Sequence, residues 1–188
     1  MGIAMLSYAS DHQDLVVRGD SMGATIWWHL LTPELGGRET NEILKARVFR
    51  CLAYPYKPQV VCYLVNAWEF NSPADIIGHQ VHGFTKLSRV QRPTDTIYFA
   101  DVEYNPAYIP PYTNFVSGND AGYFDVYEAP QLPYRIVGGG TITSLNAARR
   151  VAAARHGDGP NVGYFDGHSG SKKATRMVTE DWREQKTY

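Results

Sequence analysis

The chain has 188 residues, of which 44% are apolar and 20% charged, and its formal net charge is −1. That is the length of one domain with enough apolar material for a core. The charges are too few for a disordered tail, and there is no excess of cations to hold a nucleic-acid backbone. No apolar run approaches the roughly 18 residues that cross a membrane. No basic start followed by an apolar stretch and a small-residue cleavage site marks a signal peptide.

Met1 to Asp11 reads as helix, because Ile3, Leu6 and the Met5/Ala9 pair recur at three- to four-residue spacing. No capping residue precedes it, so it reads as the tail of a longer helix. Residues 24–31 form a second helical stretch, ended by Pro33 and Gly36-Gly37. Asn41 to Lys45 is a short third helix. Val60 to Val65 and Thr96 to Ala100 are β-rich runs, the latter preceded by Arg92-Pro93 and ended by Asp101. Residues 102–135 hold five prolines and many Tyr, Asn and Gly. They read as an irregular excursion with one short strand near Tyr123–Tyr127, and such stretches often carry function or an interface.

Gly138-Gly139-Gly140 is a flexible joint, without the Lys and Ser/Thr of a phosphate loop. Ser144 to Ala154 is rich in Ala and Arg and is expected to be helical in its first half at least. Its Arg149-Arg150 pair and Arg155 would then lie on a solvated face. Asn161 to Phe165 is extended and is followed by Asp166-Gly167, a strong hairpin signal because glycine accepts positive φ without cost. Thr179 is placed to cap a last helical turn running through Trp182 to Glu184.

The chemistry-bearing residues are few. Cys51 and Cys62, eleven positions apart, are either a small structural disulfide or two unpaired thiols. A zinc finger would need more ligands, and no CxxC or HxxxH pair exists. His156, Asp166 and His168 are the obvious polar cluster, with Asp101 as a neighbour. The simple expectation is that Asp166 bonds the turn backbone while His156 ties a loop to a carbonyl or carboxylate. A divalent metal on Asp101, Asp158, His156 and Asp166 is the competing one. Calcium is the single ion kept open, through Asn119-Asp120, Asp125 and Asp158, although no EF-hand spacing is present. No nucleophile elbow or catalytic cysteine context appears, so no reaction and no cofactor are expected.

His156, nine residues, then Asp166-Gly167 resembles the C-terminal signature of a large family of prepilin-type proteins, the type IV pilin-like and type II secretion pseudopilin-like subunits. Other blocks agree in the same order. Met1 to Tyr8 with Asp11 resembles the end of the long pilin helix, and Trp27-Trp28-His29-Leu30-Leu31 with Pro33 the next helix. Val48-Phe49-Arg50-Cys51 resembles a segment that usually continues with Pro, where Leu52 stands here. Cys62-Tyr63-Leu64-Val65-Asn66 resembles a Ser-Tyr-x-x-Asn strand, with Cys for Ser. Leu87 to Pro93 and on to Asp101 resembles the Pro-strand-Asp block. Residues 102–143 match nothing in the family.

The resemblance implies an α+β, pilin-like fold over 1–188, with a truncated N-terminal helix packed on a small antiparallel sheet of about four strands. It implies a structural subunit, not an enzyme. Its full-length form would be anchored in the inner membrane by the missing helix and would face the periplasm or an extracellular filament. Its partners would be other pilin-like subunits and the secretion or pilus assembly machinery. His156, Asn161, Asp166, Gly167 and His168, with Asp101, would frame the C-terminal hairpin. That compartment favours the Cys51–Cys62 disulfide. The alternative is a secreted binding module whose Tyr-rich segment, residues 104–134, contacts glycan or protein. A metal-dependent hydrolase comes third.

Overall fold

A computed structural model describes residues 1–21, 25–37, 46–104, 124–137, 141–145 and 149–185. Helix α1 (Gly2–Asp11) buries Ala4, Met5, Tyr8 and Ala9, which share one face at helical spacing, and leaves Ile3 in solvent. It ends where Gln13 and Asp14 both take positive φ. These two residues swing the chain into β1 (Leu15–Arg18). β2 (Asp20–Ser21) and β3 (Thr25–Ile26) pair with each other, and α2 (Trp27–Leu31) follows. The expected helix over 24–31 therefore starts only at Trp27, because the 25–26 backbone is spent on strand pairing.

The remaining strands are β4 (Tyr63–Asn66), β5 (Trp68–Glu69), β6 (His79–Gln80), β7 (Gly83–Lys86), β8 (Ile97–Asp101), β9 (Asp125–Val126), β10 (Tyr134–Val137), β11 (Thr141–Leu145), β12 (Asn161–Tyr164) and β13 (Ser169–Ser171). The main sheet has the order β13-β12-β8-β4-β9. Its first four strands are antiparallel, and β9 joins β4 in parallel. The class is therefore α+β, and the sheet is mixed rather than purely antiparallel. β8 reads as a buried run because all five of its residues are buried between neighbours.

Around this sheet packs an aromatic core. Trp27 meets Phe49 and Phe99 at 5.7 Å each, and Trp28 meets Phe124 at 5.3 Å, edge on for Phe49 and Phe124. Trp27 Nε1 donates to the Phe124 carbonyl at 3.1 Å. α1 lies over β1, and its Tyr8 stacks on Phe84 of β7. Among the described residues no helix is long and apolar enough to cross a membrane.

Three sequence expectations need correction. Ser144 and Leu145 are in strand β11, not helix. Beyond them, Val151 bridges Val102 and Ala152 N–H donates to the Asp101 carbonyl. Arg149 reaches Glu103 at 2.8 Å and Arg150 reaches buried Asp125 at 2.5 Å. Tertiary pairing overrides the alanine-rich helix propensity, and the three arginines do not form a solvated face. The irregular excursion over 102–135 runs into the β10–β11 hairpin, which starts at Tyr134, and its expected short strand near 123–127 is β9. Thr179 does not cap the last turn. That turn is a 3-10 turn over Thr179–Asp181, and the Asp181 carboxylate accepts the Val178 N–H at 2.8 Å. Asn41 to Lys45, Gly138-Gly139-Gly140, Asn119-Asp120 and most of the Tyr-rich segment lie outside the described residues.

Candidate functional site

Asp101 is the last residue of β8, opposite Tyr63 of β4, and has no solvent exposure. Its Oδ2 accepts the backbone N–H of Asn161, the first residue of β12, at 2.7 Å, and lies 3.3 Å from His156 Nε2. Its Oδ1 is buried and has no hydrogen-bond partner among the described residues. A buried carboxylate oxygen without a partner is costly. Burial accordingly pushes the Asp101 carboxyl above its ordinary value, against the opposing pull of the Asn161 N–H, His156 and Arg155.

His156 sits in the loop before β12, held by its N–H to the Gly159 carbonyl at 3.1 Å, with a side chain 31% exposed. Its Nε2 also lies 3.4 Å from Cys51 Sγ. Cys51 follows the 3-10 turn Arg47–Phe49. This segment is fixed to the sheet because Cys62 N–H donates to the Phe49 carbonyl at 2.8 Å and Val102 N–H to the Cys62 carbonyl at 3.0 Å. The ligand atoms of Cys51, Asp101 and His156 lie within 4.8 Å of one another. Arg155 flanks them. Its guanidinium stacks 4.2 Å over Tyr54 and donates to the Val102 carbonyl at 2.8 Å.

Both cysteines are free thiols in this structure rather than a disulfide. Cys62 is buried, and burial pushes its thiol up to about 11. Cys51 stands half-buried beside the imidazole.

The other end of the motif is a separate place. Gly167 has φ +89°. Asp166 Oδ1 accepts the His168 N–H at 3.2 Å and lies 2.5 Å from His168 Nδ1, while the His168 ring stacks on Tyr164 at 4.2 Å. The turn closes on the start of α1, where an added Cβ at Gly2 would meet the Gly167 carbonyl oxygen at 2.4 Å. A cleft of about 560 Å³ runs along this junction, lined by Gly2, Ile3, Phe99, Asn161, Gly163 and His168 among others.

The structure therefore divides the residues that sequence reasoning grouped together. Asp101, His156 and Asn161 meet, as do Asp166, Gly167 and His168, but the two groups lie at opposite ends of β12. Asp158 pairs with Lys173 at 2.8 Å and is not among the ligand atoms that converge on Asp101. Asp125 is taken up by Arg150 and by Gln80 Nε2 at 2.8 Å, so it does not join Asp158 in an oxygen cage. Cys51 is the residue sequence reasoning left out of the polar cluster. No local spacing points from Cys51 to His156, and only the fold brings them together. Comparison with protein-family models, with curated proteins and with solved structures finds no match for this chain.

Proposed function

We propose that the chain is the globular domain of a pilin-like structural subunit serving secretion or surface filament assembly, with α1 as the lower part of an assembly helix. One observation carries this reading: the Asp166-Gly167 turn of the His-x9-Asp-Gly spacing packs against the first turn of α1. A domain that must carry load from a filament helix into its sheet needs that helix seated firmly. Here the seating comes from apolar burial of Met5 and Tyr8 on one side and close backbone approach at Gly2 on the other. No reaction is assigned.

The test is the complete gene. The coding sequence upstream of Met1 is expected to encode a basic leader, a prepilin-peptidase site and about 20 apolar residues, the length that spans a bilayer. The full-length product, coexpressed with a prepilin peptidase, is expected in the inner-membrane fraction with its leader removed. A product that begins at Met1 and stays out of the membrane fraction rejects the proposal.

A further inference from the structure

The geometry points to a zinc-class metal site made by Cys51 Sγ, His156 Nε2 and the Asp101 carboxylate, with the fourth position left to water. This inference rests on other residues than the filament reading does, and it requires Cys51 as a free thiol, as it is in this structure.

The first support is spacing. Zinc bonds of about 2.3 Å to sulfur and about 2.0–2.1 Å to nitrogen or oxygen, opened to tetrahedral angles, put sulfur and nitrogen about 3.5 Å apart and nitrogen and oxygen about 3.3 Å apart. The corresponding separations here are 3.4 Å and 3.3 Å. The second support is the partnerless Oδ1 of Asp101. Most buried polar atoms are hydrogen-bonded; Oδ2 accepts the Asn161 N–H, whereas Oδ1 keeps an uncompensated lone pair among the described residues, in a fully buried position. The third is rigidity. Asp101 is fixed by ladder pairing of β8 on both sides, His156 by its loop bond to Gly159, and Cys51 by the anchored segment behind it.

The donor set selects the ion. One sulfur, one imidazole nitrogen and one carboxylate suit zinc or cobalt, whereas calcium takes six to eight oxygens. Arg155 is engaged with Tyr54 and Val102 and is no ligand. Cys62 lies outside the group of converging ligand atoms.

The full chain, purified under reducing conditions and stripped with chelator, would be titrated with zinc chloride and separately with cobalt chloride. One zinc per chain is expected, with a rise in melting temperature. Cobalt should give tetrahedral visible bands and a thiolate-to-cobalt band in the near ultraviolet. Cys51→Ser and His156→Ala, both at solvent-reaching positions, should weaken zinc by more than the roughly 100-fold that marks loss of an outer-shell partner. Cys62→Ser should bind as the parent does. The proposal is overturned if the parent takes up no zinc or if Cys51→Ser binds it equally well. It is also overturned if cobalt shows no thiolate band, or if protein from its native host carries a Cys51–Cys62 disulfide.

Discussion

Gly2 and Gly167 face each other across the junction of α1 and the C-terminal turn, and substituting either tests whether that junction holds the fold together. An alanine at Gly167 would have to keep φ near +89°, at a cost of about 1 kcal/mol for a residue with a Cβ. Its methyl would also lie 2.7 Å from Leu6 Cδ1, which must move aside. Overpacking costs typically ~1–3 kcal/mol, and the flexible end of Leu6 puts this case at the low end. The total is about 2 kcal/mol, a fall in melting temperature of roughly 4–8 °C for a chain of this size. At Gly2 two effects oppose each other. Helix propensity favours alanine by at most about 1 kcal/mol, but the new Cβ would stand 2.4 Å from the Gly167 oxygen and 2.8 Å from its Cα. Backbone cannot rotate away as a side chain can, so packing wins and Gly2→Ala is destabilising. Gly36→Ala isolates the conformational cost, because φ there is +85° and no atom of the described residues lies within 4 Å. Thermal melts by circular dichroism should rank Gly167→Ala below Gly36→Ala and place Gly2→Ala below the parent. A Gly2→Ala protein that melts at or above the parent would falsify the close helix–turn contact.

Three further outcomes follow from a buried ion pair, from a carboxylate held by backbone N–H groups and from the thiols. Arg18 is fully buried on β1 and donates to Glu184, to Asn66 Oδ1 at 3.0 Å and to the Trp68 carbonyl at 2.9 Å. Arg18→Met should cost about 3–5 kcal/mol in urea unfolding by stranding Glu184, and Arg18→Met with Glu184→Leu should recover much of it; equal stability of single and double variants counts against the pair. Asp75 accepts N–H groups from Gly78 at 2.8 Å and from Asn71 and Ile77 at 3.0 Å, and these bonds, Gly78 first, hold its carboxyl below the ordinary value. Its contribution is present above the unfolded carboxylate value and is lost as pH falls through the lowered folded value. Asp75→Ala should therefore flatten the acid limb of the stability curve and leave its alkaline side parallel to the parent; an unchanged acid limb refutes the assignment. In native, chelator-treated protein, alkylation should modify Cys51 quickly and Cys62 only after unfolding, since Cys62 is 1% exposed with its thiol pushed up to about 11. Two fast thiols, or none, would contradict the burial.

Local chemistry decides which features were readable from sequence. The Asp166-Gly167 hairpin was legible because the turn requirement is met within the turn itself, and so was helix α1, whose apolar spacing is helical; its seat on the Gly167 turn was not, and Ile3 of the apolar set stays in solvent. His156 reaching a carboxylate and Asp166 bonding the turn backbone were also legible, since a buried or turn-forming polar group must find a partner nearby. The strand over Ser144 and Leu145 was not. Alanine and arginine favour helix locally, and only pairing with the β10 backbone and with Glu103 and Asp125 overrules them. Nothing local could announce Arg18 and Glu184, which are 166 positions apart, or the approach of Cys51 to His156 across 105.

The division of the motif into two sites has a geometric cause. Four residues of β12 separate the loop of His156 from the Asp166-Gly167 turn, and at about 3.3 Å per residue an extended strand of that length spans roughly 13 Å. No single metal ion can draw ligands from both ends, because ligand bonds are near 2 Å. The spacing of nine residues thus measures the crossing of one strand. One end of that strand meets Asp101 and Cys51, and the other meets the first turn of α1. Zinc at the first end would fix the register of β12 against β8, since the Asn161 N–H and the metal would share one carboxylate. Loss of zinc would then loosen the hairpin and, through Gly167, the seat of α1. Hydrogen exchange offers the check: removing zinc should raise exchange at Asn161 and Gly163 and also at Met5 and Leu6, whereas exchange confined to the loop around His156 would show that the two ends act separately.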